Sequence, residues 1–307
     1  MRRRHFLKAV GGMTIASGFP SLIPGSVFGA YAPSNRINVG FIGLGNQSTL
    51  DLPAFLRNDD VQVVPLDLAD LASVRGCART IERSWDRLDV LVNNAGGMWS
   101  ERVTTAQGLE RTFGVNHLGH FYLTNLLLDR LLASAPARVV NVASFAHHQA
   151  VRGMRWDDLQ TERRYTAMKA YAQSKLANIL FTRGLARRVD PARVTANAVH
   201  PGSVRSRFGM DGDLRGVVGL GNRFIRAFEL SAAAGARTSI FLATDPSVAD
   251  VTGGYWVRRR PGHMSGAARD DAAVERLWDE SERLLASVAF PLEKHMPEKR
   301  ERRPRSA

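Results

Sequence analysis

Lysine is nearly missing from this chain: arginine carries almost all of the basic charge, and between Lys8 and Lys294 the only lysines are Lys169 and Lys175. Cysteine is scarcer still. The single Cys77 excludes an internal disulfide and leaves the redox compartment open, and its place in a helix-like stretch reads as core filling. The chain also lacks a basic stripe interleaved with aromatics. Of the formal charge of +13, Arg2, Arg3, Arg4 and Lys8 supply four, and the tail from Pro291 a net three from six basic and three acidic residues. The remaining +6 is spread over a whole domain, so no nucleic-acid partner is expected. What is present is apolar bulk. At 307 residues and 44% hydrophobic content the chain can bury a substantial core, which excludes disorder throughout and fits one large α/β domain or two small ones.

The two ends differ from the middle. Residues 1–30, MRRRHFLKAVGGMTIASGFPSLIPGSVFGA, have a basic start, a mildly apolar centre and small residues near Ala30, the organisation of an export signal. Arg3, Arg4, Phe6, Leu7 and Lys8 match the twin-arginine pattern, whose route carries folded proteins to the periplasm. The apolar stretch is broken by Gly and Pro and too short to span a bilayer, so no stable membrane span is expected. Residues 291–307 read as a basic, disordered tail.

Between them, over 31–290, apolar β-rich runs alternate with helical periods. Strands are expected at Arg36–Ile42, Val61–Leu66, Leu88–Val92, Val139–Ser144, Val194–Val199 and Gly254–Val257. Helices are expected near Leu71–Trp85, Thr105–Leu132, Tyr165–Val189 and Ala232–Leu242. That alternation implies a single α/β domain, a doubly wound parallel sheet of Rossmann type with helices on both faces. Ligands in such sheets bind beyond the carboxyl ends of the strands. At those ends stand Gly43 and Gly45, Asp67, Asn93-Asn94-Ala95-Gly96, Ser144 and Pro201-Gly202. Two segments, Phe145–Arg164 and Val204–Leu230, are too long for simple connections and are candidate substrate walls.

The two inner lysines each follow a tyrosine by four residues in YTAMKAYAQSK, pairing Tyr165 with Lys169 and Tyr171 with Lys175. Residues four apart share a helix face. The two frames are six positions apart, so they point in different directions and only one can face a ligand. Tyr165 follows the polar Glu162-Arg163-Arg164, whereas Tyr171 runs alongside the apolar stripe of Leu176, Ile179 and Leu180. The inner pair is the stronger choice. A phenol with its ordinary pKa near 10 needs cationic neighbours to work as an acid or base at neutral pH, and a lysine one turn away supplies one. A compact ammonium also donates to ribose hydroxyls in a space that a guanidinium would not fit.

From about Val64 to Phe290 the chain resembles the short-chain dehydrogenase/reductase family, nearest its retinol-dehydrogenase-like branch. The motifs LDVLVNNAGG, GVNHLGHFYLTNLLL, RVVNVASFAHH, YAQSKLANILF and NAVHPGSVRS occur in the expected order. The resemblance implies an NAD(P)-dependent oxidoreductase moving hydride between nicotinamide and a lipophilic alcohol or carbonyl. It implies that Tyr171 is the general acid/base, that Lys175 lowers its pKa and holds the ribose, and that Ser144 binds the substrate oxygen. Asn116 would anchor a water linking the lysine to solvent. Asn94, Ala95 and Gly96 would line the adenosine side, and Pro201, Gly202 and Ser206 would meet the nicotinamide carboxamide. His117, His120, His147 and His148 fall inside these motifs without an acid or thiol cluster, so no metal is expected.

The head departs from that pattern. The family's own glycine loop is absent, and APSNRINVGFIGLGNQSTLDLPAFLRNDDVQVV behind a twin-arginine leader resembles exported members of the glucose-fructose oxidoreductase and inositol dehydrogenase family. Gly43, Gly45 and Ser48 then form a G-x-G-x-x-G variant between strand and helix, a pyrophosphate cradle. The join near Val64 leaves the fold one strand and helix short. Val61–Leu66 is expected to pair directly beside Arg36–Ile42, with Asp67 at its end taking the ribose hydroxyls, which favours NAD over NADP. In the pure short-chain reading Asp67 touches adenine instead. Export conflicts with an exchangeable nucleotide unless the enzyme leaves preloaded, so a cytoplasmic location is the alternative. The rival function is a nucleotide-binding hybrid without turnover, and the sequence leaves a homo-oligomer open.

Overall fold

Short apolar runs build the sheet, and their periodicity decides which side chain goes to which face. The computed structural model describes residues 39–42, 62–202 and 231–292. Its strands are β1 (Val39–Ile42), β2 (Val90–Asn93), β3 (Ala137–Val142), β4 (Val194–His200), β5 (Tyr255–Val257) and β6 (Arg260–Pro261), in that spatial order. The first five run parallel, and β6 returns antiparallel in a two-residue hairpin. Successive side chains on a strand point to opposite faces. Leu91, Val139, Ala196 and Ala198 accordingly join the larger core, while Val90, Val92, Val140, Val142 and Val199 join the smaller one.

The larger core is covered by α1 (Leu71–Ser84), by the helical run of α2 (Arg111–Phe113), a π-turn (Gly114–Leu118), α3 (Gly119–Leu126) and α4 (Leu128–Ala133), and by α5 (Ala167–Arg188). On the opposite face α6 (Ala232–Thr244) packs Leu242 and Ala243 against the valines. After a four-residue α7 (Gly266–Arg269), the amphipathic α8 (Asp271–Ser287) seals α5. Trp278 of α8 sits so close to Gly184 that a Cβ there would come within 3.0 Å of its ring. α8 is absent from the elements expected from sequence, although its apolar residues Val274, Leu277, Trp278 and Leu285 recur at helical spacing on one buried face.

Helix starts are set by local chemistry. Asp70 caps α1 by accepting from Ala72 N, Thr166 caps α5 by accepting from Lys169 N, and Asp270 caps α8. Glu110 is fully buried and accepts from both Thr112 N and Phe113 N, at 2.7 and 2.8 Å. That carboxylate starts the helix that carries Asn116.

Most expected strands and helices form within a few residues of their anticipated limits. The second strand does not. Residues 62–67 contain no strand, and β1 pairs with β2, Val39 opposite Val90. Pro65 removes a donor from the segment and Val63 is 40% exposed, so although Leu66 packs against the larger core, no ladder ties the segment into the sheet. Asp67 therefore ends no strand. Its carboxylate accepts from Ala69 N at 2.8 Å and its N–H donates to Ser73 Oγ, a turn that leads into α1. The placement of Asp67 on the ribose, and with it the preference for NAD, loses its structural premise.

Candidate active site

The register brings the carboxyl ends of the strands level. Asn93 lies opposite Asn141, and Asn141 opposite Ala198, so the segments after β2, β3 and β4 open on one edge. Asn94, Ala95 and Gly96 follow β2, Ser144 follows β3, and Pro201-Gly202 follows β4, with Gly202 at φ +89, a conformation that favours glycine. Gly43, Gly45, Ser48, Ser206, the leader, the stretch 204–230 and the tail from 293 lie outside the described residues.

Helix α5 chooses between the two tyrosine frames. It begins at Ala167, so Tyr165 is not on it. The Tyr165 hydroxyl instead donates to Trp99 O at 2.8 Å and lies 3.3 Å from Thr112 Oγ1, while Lys169 is exposed. Tyr171 and Lys175 sit one turn apart, and the Lys175 Nζ lies 5.5 Å from the centre of the Tyr171 ring. The phenol is hydrogen-bonded with Ser144. Burial pushes the Tyr171 pKa up to about 12, against the lowering effect of the Ser144 bond. Lys175 is 3% exposed, and burial brings its ammonium down to about 8. In the protein alone, burial outweighs any acidification of the phenol by the lysine. The phenol therefore stays protonated at neutral pH.

The lysine is anchored on the end of β3. Its Nζ donates to Val142 O at 3.1 Å, and Asn178 Nδ2 donates to the same carbonyl at 3.1 Å. Asn116 is fully buried and clamps the loop after β2: its Oδ1 accepts from Gly97 N at 2.8 Å and its Nδ2 donates to Gly97 O and Ser174 Oγ, both at 2.9 Å. A Cβ on Gly96 would come within 3.1 Å of Asn116 Oδ1 and 3.3 Å of Lys175 Nζ, so glycine is what lets this backbone approach the lysine. Beneath the site a buried polar chain runs from Thr124 through Asn93 and Asn141 to Thr182, at 2.9, 2.8 and 2.9 Å. Thr182 returns to Asn178 O at 2.7 Å.

The histidines have separate structural duties. His147 Nδ1 donates to Ser144 O at 2.7 Å and its Nε2 accepts from Ser265 N at 3.3 Å, tying the serine's backbone to the start of α7. His117 is buried among Phe113, Phe121 and Phe181, with Nε2 2.9 Å from Ser281 Oγ. Its pKa is driven down to about 3 by burial first and then by His120. Asn178, Gly97 and Ser174 escape the sequence reading, and His147 enters it only as a histidine excluded from metal binding. Only Asn178 carries a local signal, falling within one turn of Lys175 in SKLAN.

Buried donors on Lys175, small residues after β2 and an open strand edge are the chemistry that a dinucleotide's ribose and ring require. The fold and this edge define a nucleotide-dependent oxidoreductase of Rossmann type. The family model described as Enoyl-(Acyl carrier protein) reductase matches residues 37–245, a span that includes the glycine segment. Human retinol dehydrogenase 12 is 42% identical over 241 residues, covering 78% of this chain and 75% of that protein. Among solved structures, an uncharacterized protein from Mycobacterium Paratuberculosis is 32% identical with a TM-score of 0.60, over 81% of this chain and 83% of that one. Pseudomonas aeruginosa RhlG, solved with NADP, is 25% identical with a TM-score of 0.50, over 72% and 80%. The chain belongs to the short-chain dehydrogenase/reductase family, and it is an NAD(P)-dependent oxidoreductase acting on CH–OH groups or the matching carbonyls. No helix among the described residues is long and apolar enough to cross a membrane.

Proposed function

We propose that Tyr171 is the general acid/base of this oxidoreductase, that Ser144 holds the substrate oxygen against it, and that Lys175 binds the ribose and biases the phenol. The observation carrying this reading is the Tyr171–Ser144 hydrogen bond, with a buried ammonium one turn along α5. When bound, the nicotinamide supplies or takes the hydride. The chain's own residues handle the proton. In the reducing direction the neutral phenol gives its proton to the carbonyl oxygen while Ser144 donates a hydrogen bond to the same atom. In the oxidising direction the phenolate takes the hydroxyl proton, which requires positive charge nearby to offset burial. Lys175 provides part of that charge.

For the rest of the cofactor, Asn94, Ala95 and Gly96 would line the adenosine side, Pro201, Gly202 and Ser206 would take the carboxamide, and Gly43 and Gly45 would cradle the pyrophosphate. A lipophilic alcohol or aldehyde is the substrate class, supported by the likeness to human retinol dehydrogenase 12. The deciding assay measures turnover of such compounds with NAD and with NADP beside Tyr171→Phe. The variant should bind cofactor normally and lose about 10² to 10⁴-fold in kcat. Equal turnover by the variant would refute the assignment.

The domain reading stands beside it: residues 1–30 as a twin-arginine export signal ahead of one nucleotide-binding domain over 31–290 and a basic tail. Its leader and glycine segment still resemble the exported sugar oxidoreductases in sequence. Export that persists in a bacterial host lacking the twin-arginine translocase, or no export in any host, would sink it.

A further inference from the structure

His120 lies four residues after Asn116 on the same helical run, with its Nδ1 3.1 Å from the Asn116 carbonyl. A carbonyl only accepts, so Nδ1 carries the hydrogen and Nε2 is a bare acceptor. That Nε2 has no partner among the described residues although the ring is only 2% exposed. Buried acceptors without a partner are uncommon, and in a polar site the usual partner is an ordered water. Two polar residues border it: Asn116 contributes its backbone carbonyl, and Lys175, whose Nζ meets the Asn116 side chain around Gly96, is the charged group that acts on the ring from α5. His117, on the same helical run, is the other titratable neighbour.

We propose that His120 is a positioning residue for Lys175: its bare Nε2 accepts a hydrogen bond from a water whose oxygen accepts one from the Lys175 ammonium. Nothing is transferred to the ring, which stays neutral. Burial keeps the His120 pKa near 4, so at working pH the ring adds no charge to repel the lysine. An Nδ1–H anchored on Asn116 and an Nε2 turned to the water couple the helix that clamps Gly97 to the lysine. The consequence for turnover rests on the role given to Lys175 above, but the bridge itself is tested without turnover.

The test follows Lys175 directly, which the scarcity of lysine makes practical: five lysines give five side-chain ¹⁵N signals, and Lys175→Met identifies the one wanted. In the wild-type protein labelled on histidine, the His120 ring signals should show an inflection at the midpoint of Lys175, expected near pH 8. His120→Asn keeps a donor for the Asn116 carbonyl but removes the acceptor at the Nε2 position. It should lower the Lys175 midpoint by about one unit, a tenfold change in the ionisation equilibrium. His120→Gln, whose amide reaches the Nε2 position, should restore most of it. A flat His120 signal through the Lys175 titration, or an unmoved midpoint in a folded His120→Asn protein, overturns the proposal. Should the Asn variant fail to fold, the wild-type titration decides alone. A wild-type protein that shows the inflection but no turnover would count against the enzymatic roles only.

Discussion

Replacing Lys175 with methionine should make the protein more stable at neutral pH while ending turnover. Burial lowers the ammonium from its ordinary 10.5 to about 8 in the folded state. Held charged at pH 7, it costs about 3 kcal/mol relative to the unfolded chain, from the 1.36 kcal/mol carried by each pH unit. Methionine fills similar space without a charge. The substitution also forfeits the bond from Nζ to Val142 O, worth about 1 kcal/mol, and Asn178 keeps that carbonyl paired. The net gain is about 2 kcal/mol at pH 7.

The pH dependence is the sharper signature. A lysine with a depressed folded pKa binds fewer protons folded than unfolded between about 8 and 10.5, so wild-type stability rises with pH across that window. Below it the penalty is complete. The advantage of the variant should therefore shrink to near zero by about pH 10, where the folded wild type has shed nearly all of that proton and what is left of the penalty is offset by the bond from Nζ to Val142 O. Urea unfolding of both proteins at pH 7 and pH 10 reads the difference, and contributions from every other group cancel in the comparison. A variant no more stable at pH 7, or a gap that does not close on raising the pH, would refute the burial of a charged amine as the reason.

Glu110→Ala strips acceptors from Thr112 N and Phe113 N in a fully buried place, and should cost about 2 to 4 kcal/mol by denaturant unfolding. Gly96→Ala puts a methyl against Asn116 Oδ1 and Lys175 Nζ. It should lower kcat/KM by about tenfold through misplacement of the lysine, while melting near the wild-type temperature because Gly96 itself is exposed. Cys77 is 4% exposed and burial raises its thiol to about 11, so it should resist a thiol reagent at pH 8 in the folded protein and react fully once unfolded.

Strand patterning and motif order were legible because both are local. A run such as Val139–Val142 declares a buried strand wherever it sits, and YAQSK declares a helix face whichever helix it packs on. What failed was also local in appearance. The run VQVVPL reads as a strand by composition, yet Pro65 and an exposed Val63 leave it outside the sheet, and β1 takes β2 as its neighbour instead. Strand adjacency is a property of pairs far apart in the chain, and no spacing rule states it. The stripe of α8 differs: its helical spacing is local and legible in residues 271–287, and only its partner, Gly184 of α5, is supplied by the fold.

The sequence alone determined the chemistry available at the site: a serine after a strand, and a tyrosine with one of the two inner lysines a helical turn along, in a chain that otherwise relies on arginine. Tertiary structure decided what those groups become. Only the folded sheet brings Ser144 to Tyr171, buries the ammonium until its pKa falls to about 8, and sets His120 against Asn116 with one nitrogen unmatched. The physical reason is that side-chain identity is written residue by residue. Burial and charge neighbours, which set proton affinity, arise only when segments dozens of residues apart exclude water together.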